Sequence, residues 1–266
     1  MVGETVITTA ARAQTHAALA GLVWTLVRTD FKSRYHGTAA GFLWALLKPF
    51  AMVLVLIGVF SFIFTSDRNY AVNLLIGLCL YDFFSDATKV GLFSLRAKGF
   101  LLTKTRAPLW IIVTTATSNA VITLAVFWFA IVLVLTVVRR PPGVLALALC
   151  LVYFLQFFLI VIGISLAASV LFLKYRDINQ AWEVVTQAGF FLAPIIYPLD
   201  ILPERLHFYL YFWPPTPVIQ FVRMVLVEGR IPTLRAHVYL TLMAAGIFVA
   251  GTLVFRRYAG RAAEYL

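Results

Sequence analysis

Residues 109–138 and 144–173 contain no Asp, Glu, Lys or Arg, and only Arg139-Arg140-Pro141-Pro142-Gly143 separates them. A helix needs about 20 predominantly apolar residues to cross about 30 Å of hydrocarbon. Both stretches exceed that length. In lipid a backbone has to satisfy its own hydrogen bonds, so an uncharged run of this length is read as a helix. Two such runs joined by a short breaker predict a pair of membrane-crossing helices.

Four more runs are of the same kind: residues 42–64, 70–95, 179–197 and 236–255. The sequence predicts an all-α integral membrane protein, with one domain over residues 1–266 and six transmembrane helices. Composition agrees, since 62% of residues are hydrophobic, 12% are charged and the mean hydropathy is +0.93. A soluble domain carries about 25% charged residues. The first 18 residues are polar and lack an apolar stretch, so no cleaved signal peptide is expected. Cys79 and Cys150 fall within apolar runs, without the spacing of a metal or disulfide framework.

The net charge of +11 would suit a nucleic-acid partner. The cations, however, sit in short clusters between the apolar runs, which is the pattern of membrane topology, and no nucleic acid is expected. With both termini in the cytoplasm, fourteen Lys and Arg residues flank the inner ends of the spans and seven flank the outer ends. That asymmetry has the sign of the positive-inside rule.

Ahead of the first span, residues 19–36 carry Leu19, Val23, Val27, Phe31 and Tyr35 along one helical row. Arg28, Lys32 and His36 form a second row, with Arg34 close by. This pattern predicts an interface helix lying in the membrane plane, with its cations toward anionic headgroups. Gly37 and Gly41 end it.

Three connections stand out. Residues 96–108 set Arg96, Lys98, Lys104 and Arg106 around Phe100, Leu101 and Leu102. That composition suits a short helix pressed against a partner, and equally a topology anchor. Lys174-Tyr175-Arg176-Asp177-Ile178 is a tight link with both charge signs. Residues 198–235 hold six of the chain's eleven prolines and two apolar pieces too short to span, 206–213 and 218–227. A re-entrant helix–break–helix hairpin on the outer side accounts for this, as do two helices lying on the outer surface.

Polar residues inside the spans form two stripes. At about 100° per residue, Tyr81, Asp82, Ser85, Asp86 and Lys89 fall within a sector about 140° wide. By the same arithmetic Gln180, Glu183, Gln187 and Phe191 fall within about 80°. Charges facing lipid are costly, so both stripes require protein or water beside them. They predict a translocation path or interhelical pairing, with Asp86 neutralised by Lys89 one turn away. No enzyme constellation accompanies them. The four histidines are scattered, and the chain lacks the G-x-x-x-x-G-K-[ST] loop that would cradle ATP phosphates.

Several pieces taken together resemble the permease subunit of ABC-2-type exporters, specifically the polysaccharide and O-antigen exporters and their teichoic acid relatives. They are Asp30-Phe-Lys-Ser-Arg-Tyr35, Gly41-Phe-Leu-Trp-Ala-Leu-Leu-Lys-Pro49, Phe83-Phe-Ser-Asp86, residues 102–108, Lys174-Tyr-Arg-Asp-Ile178, Ala193-Pro-Ile-Ile-Tyr-Pro198 and residues 214–223. The resemblance implies a six-helix permease of the bacterial inner membrane that forms a homodimer and binds two cytoplasmic ABC ATPase subunits. ATP and Mg²⁺ would belong to those partners, and this chain would carry no cofactor. The resemblance makes 96–108 the coupling helix, through Arg96, Lys98, Phe100, Leu101, Lys104 and Arg106, with Tyr175, Arg176 and Asp177 approaching the same partner. Residues 198–235 would form short re-entrant helices at the outer mouth. The implied cargo is a polysaccharide on a polyprenyl-diphosphate lipid. Family members often have Glu where this chain has Asp86, which keeps the charge. An ABC-2 exporter of teichoic acid, drugs or lipids is the neighbouring reading. An ion-coupled transporter using Asp82, Asp86 and Glu183, or a membrane-embedded transferase, would be of another class.

Overall fold

The computed structural model describes residues 19–34, 41, 43–63, 69–99, 108–138 and 141–262, and within them the chain is helical without a strand. Helix α1 covers residues 19–34. α2 is Leu43–Phe60 and includes Pro49. α3 is Tyr70–Ala97, and α4 (Leu109–Ala116) continues after Thr117 as α5 (Ser118–Val138). α6 is Val144–Lys174 and α7 is Ile178–Leu192. A 3₁₀ turn at Leu199–Ile201 leads to α8 (Glu204–Tyr211) and α9 (Pro215–Arg223), which widens into a π-type turn at Met224–Glu228. α10 is Leu234–Ala259, capped at its start by the Thr233 hydroxyl accepting from the Ala236 amide.

Among the described residues, four stretches are long and apolar enough to cross a membrane: Tyr70–Ala97, Leu109–Val137, Val144–Lys174 and Leu234–Ala259. In α2 the apolar part is the shorter Leu47–Phe60. The fifth predicted span, 179–197, is helical only to Leu192. At 1.5 Å per residue its 15 residues reach roughly 22 Å. The reason is local. Pro194 disfavours a helical conformation at the residue before it, and Ala193 is extended at ψ 130°.

α3 is the hub, touching α2, α4, α5, α6, α7 and α9. Phe84 is fully buried at its middle, stacked on Phe157 of α6 at 5.9 Å and 6° and set edge-on to Trp213. α6 lies against α10 so closely that a Cβ on Gly251 would stand 1.9 Å from the Gly163 carbonyl oxygen. Two polar pairs run along the same seam. Gln156 Nε2 donates to Thr241 Oγ1 at 2.9 Å, and the Tyr153 hydroxyl meets His237 Nε2 at 2.9 Å. The segment after α7 is a helix–break–helix, as its prolines predict. α8 is largely exposed, whereas α9 is buried against α3 and α6 almost throughout.

Candidate functional site

The polar residues of α3 open onto a cavity of about 330 Å³. Asp82, Ser85, Asp86 and Lys89 supply one wall, Arg34 of α1 and Lys48 of α2 supply others, and Ala120, Thr123 and Leu124 close it from α5. The small side chains of Ala120 and Thr123 leave room for the charges opposite. Asp82, Ser85, Asp86 and Lys89 advance by three, one and three residues along α3. That spacing keeps them on one face, while Phe84 and Leu80 turn into the core.

The charges pair between helices. Asp86 is not matched with Lys89 as expected. Its Oδ1 accepts from Arg34 Nη2 at 2.8 Å, and Lys89 Nζ donates to Glu183 Oε1 of α7 at 3.1 Å. Two residues one turn apart on α3 point toward different neighbours, and each finds a complementary charge there. A third pair, Lys98 with Asp30 at 2.5 Å, is the most sheltered of the three. α1 is thus tied to α3 at both Asp86 and Lys98. Lys48 exerts its charge on Asp82 across the cavity, but no ion pair joins them.

Tyr81 leaves the expected stripe. It is 4% exposed, donates its hydroxyl to the Thr186 carbonyl and packs edge-on against Phe190. It therefore fastens α3 to α7 behind the polar face. Trp182 helps, its indole N–H donating to Thr88 Oγ1 at 3.0 Å. On α7, Gln180, Gln187 and Phe191 are exposed and Glu183 is half-buried in its pair with Lys89. Lys89 and the two glutamines are thus exposed, while Ser85, Asp86 and Glu183 are half-buried, so the chain covers this polar side of α3 and α7 only in part.

Of the predicted coupling residues, Arg96 lies over the Phe172 ring at 5.5 Å and Lys98 is bound to Asp30. Phe100, Leu101, Lys104 and Arg106 lie outside the described residues. Tyr175, Arg176 and Asp177 are exposed, and Lys174 Nζ sits 4.9 Å from the Tyr175 ring and 5.6 Å from that of Tyr258. On α1, Arg28 and Lys32 face outward, and Tyr35 lies outside the described residues. The helix buries Leu26, while Val23 and Trp24 stay exposed. Among the described residues no cluster of His, Cys, Asp or Glu could hold a metal.

Two functional positions escaped the sequence reading. Lys48 is read only as a topology charge, although it falls inside the predicted span 42–64, where a cation needs a partner other than lipid. Arg223 counted as an outer charge. It is 6% exposed, and its guanidinium donates to the carbonyls of Asn73 (2.7 and 2.9 Å), Pro194 (2.6 Å) and Ile195 (3.1 Å). It thereby satisfies the backbone freed where α7 breaks. A lone arginine among Val218, Ile219, Phe221, Val222 and Val225 was the available signal, because such a charge persists only with partners.

The sequence model of the ABC-2 type transporter family matches residues 21–227, from α1 to the π-type turn. No curated protein matches the chain.

Proposed function

Because this chain belongs to the ABC-2 type transporter family, we propose that it is the channel-forming membrane subunit of an ATP-driven exporter whose cargo is a lipid-linked polysaccharide. ATP hydrolysis then belongs to a separate subunit. Two copies of the chain face each other around a two-fold axis, two cytoplasmic ATPases drive them, and the polymer moves outward across the bacterial inner membrane with both chain termini inside.

The observation that carries this reading is the polar face of α3 and α7. Ser85, Asp86, Lys89, Gln180, Glu183 and Gln187 line it, with the Phe191 ring at its edge. Lipid does not solvate such a face, so it needs protein or water. A second copy placed against it encloses a conduit with hydrogen-bonding walls and a flat ring, which suits sugar hydroxyls and C–H faces. At the outer end, α8 and α9 act as a re-entrant lid. Its broken backbone is sheltered by Arg223 and by the packing of α9, as non-helical backbone at that depth requires. At the inner end, 96–108 and the exposed Tyr175-Arg176-Asp177 turn form the contact with the ATPase.

Reconstitution of the purified chain with and without a P-loop ATPase that copurifies with it tests the reading. The chain alone hydrolyses no nucleotide, and the pair hydrolyses ATP. Phe100→Asp inserts normally but loses the ATPase or uncouples it. Nucleotide hydrolysis by the isolated chain, or normal export with Phe100→Asp, overturns the assignment.

A further inference from the structure

The end of α3 remote from the charged cavity borders a second, larger space of about 770 Å³. Asn69 and Tyr70 enter it from the start of α3, Tyr197 and Asp200 from the chain between α7 and α8, and Tyr211, Gln220 and Glu228 from the outer segment. Arg223 forms part of its wall. The volume lies within the roughly 300–1,000 Å³ of sites that enclose drug-sized molecules. No step of the export reading above uses this space.

Its walls select among ligands. An anion is disfavoured, because the Arg223 guanidinium is committed to the carbonyls of Asn73, Pro194 and Ile195, while Asp200 and Glu228 bring carboxylates. A wholly apolar ligand is disfavoured as well. Asp200 and Glu228 bring charge and Gln220 an amide to its walls, and an apolar ligand would strip water from these groups without replacing their hydrogen bonds. Phenol rings offer flat apolar faces, the Gln220 amide adds a polar edge, and the exposed carboxylates of Asp200 and Glu228 accept from hydroxyls. A neutral sugar presents the complement of this set, with C–H faces bordered by hydroxyl edges.

We infer that this cavity is a carbohydrate-binding site, one in each copy of the chain, which holds neutral sugar units of the exported polymer at the outer end of the path. The inference rests on the export reading for the source of the sugar. The walls alone supply the ligand chemistry. Renewable contacts here resist backward slippage of a polymer between ATP cycles.

Saturation-transfer NMR tests it. The full chain is purified in lauryldimethylamine oxide, which has no sugar headgroup to compete, and offered methyl glycosides of the common neutral hexoses and 6-deoxyhexoses. Choline and glycerol phosphate serve as cationic and anionic probes. At least one glycoside receives saturation, and Asp200→Leu and Gln220→Met each weaken that binding by about fivefold, the loss of one hydrogen bond. Asp200 is exposed, so its variant keeps the fold. Transfer to no glycoside, or glycoside binding unchanged in both variants, overturns the inference. So does transfer to choline alone that Asp200→Leu abolishes, which marks a cation site. Absence of ATP-driven export with glycoside binding intact removes the export reading and leaves the site.

Discussion

Lys89 and Glu183, 94 positions apart, join α3 to α7 through a 3.1 Å ion pair whose side chains are each about half exposed. Half-exposed pairs are worth about 0–1 kcal/mol, so neutralising either partner barely changes stability. Function is a sharper readout, because the pair lies on the proposed path. Lys89→Glu and Glu183→Lys each place two like charges side by side and impair export. The double swap restores it toward the original level. A double variant no better than either single one shows that the pairing itself does not matter.

Arg223 is a different kind of charge, since its burial makes it structural. Arg223→Met strands the carbonyls of Pro194 and Ile195, which lie beyond the end of α7, and each unsatisfied acceptor costs about 1–3 kcal/mol. Arg223→Lys does not rescue, because a point charge cannot reproduce the planar fork. Thermal unfolding in detergent should show a large drop for both variants. A lysine variant as stable as the parent contradicts this geometry.

The seam between α6 and α10 makes two opposite predictions on one helix. Gly251→Ala drives a methyl into the Gly163 backbone, where nothing flexible gives way, and costs at least about 1–3 kcal/mol. Gly246→Ala meets nothing within 4 Å and gains about 0.5–1 kcal/mol from its better helix propensity. Unfolding midpoints of the two variants that move together, in either direction, rule out this packing.

Cysteine labelling maps the polar face. Single cysteines at Ser85 and Gln187 react with water-soluble thiol reagents, faster during ATP turnover. Cysteines at Leu80, Tyr81 and Phe84 stay protected, because all three side chains are buried. Labelling at Phe84 without labelling at Ser85 reverses the orientation assigned to α3.

The membrane character, the helix over 19–34 and the helix–break–helix after α7 were legible because each rests on a local signal: uncharged length, four-residue spacing or clustered proline. The end of α7 rests on an equally local signal, since Pro194 lies within the predicted span and stops the helix there despite the apolar residues around it. The charge pairing was not legible. Asp86 and Lys89 satisfy a helical rule by themselves, and only the placement of α1 and α7 shows that each has another partner. Tyr81 illustrates the same limit. Its position on α3 fits the polar sector, yet the neighbouring α7 covers it and takes its hydroxyl. Arg223 joins carbonyls 28, 29 and 150 positions away. Its role depends on three segments meeting, which periodicity does not encode.

Asp30 and Arg34 stand one turn apart on α1, yet they grip Lys98 and Asp86, which are twelve positions apart on α3. At 1.5 Å per residue those anchor points are about 18 Å apart along α3 against about 6 Å along α1. One rigid turn of α1 therefore holds two points far apart on its neighbour, the middle of α3 at Asp86 and its C-cap at Lys98. Any displacement of the segment that follows Lys98 strains both ion pairs together, and one of them lines the charged cavity.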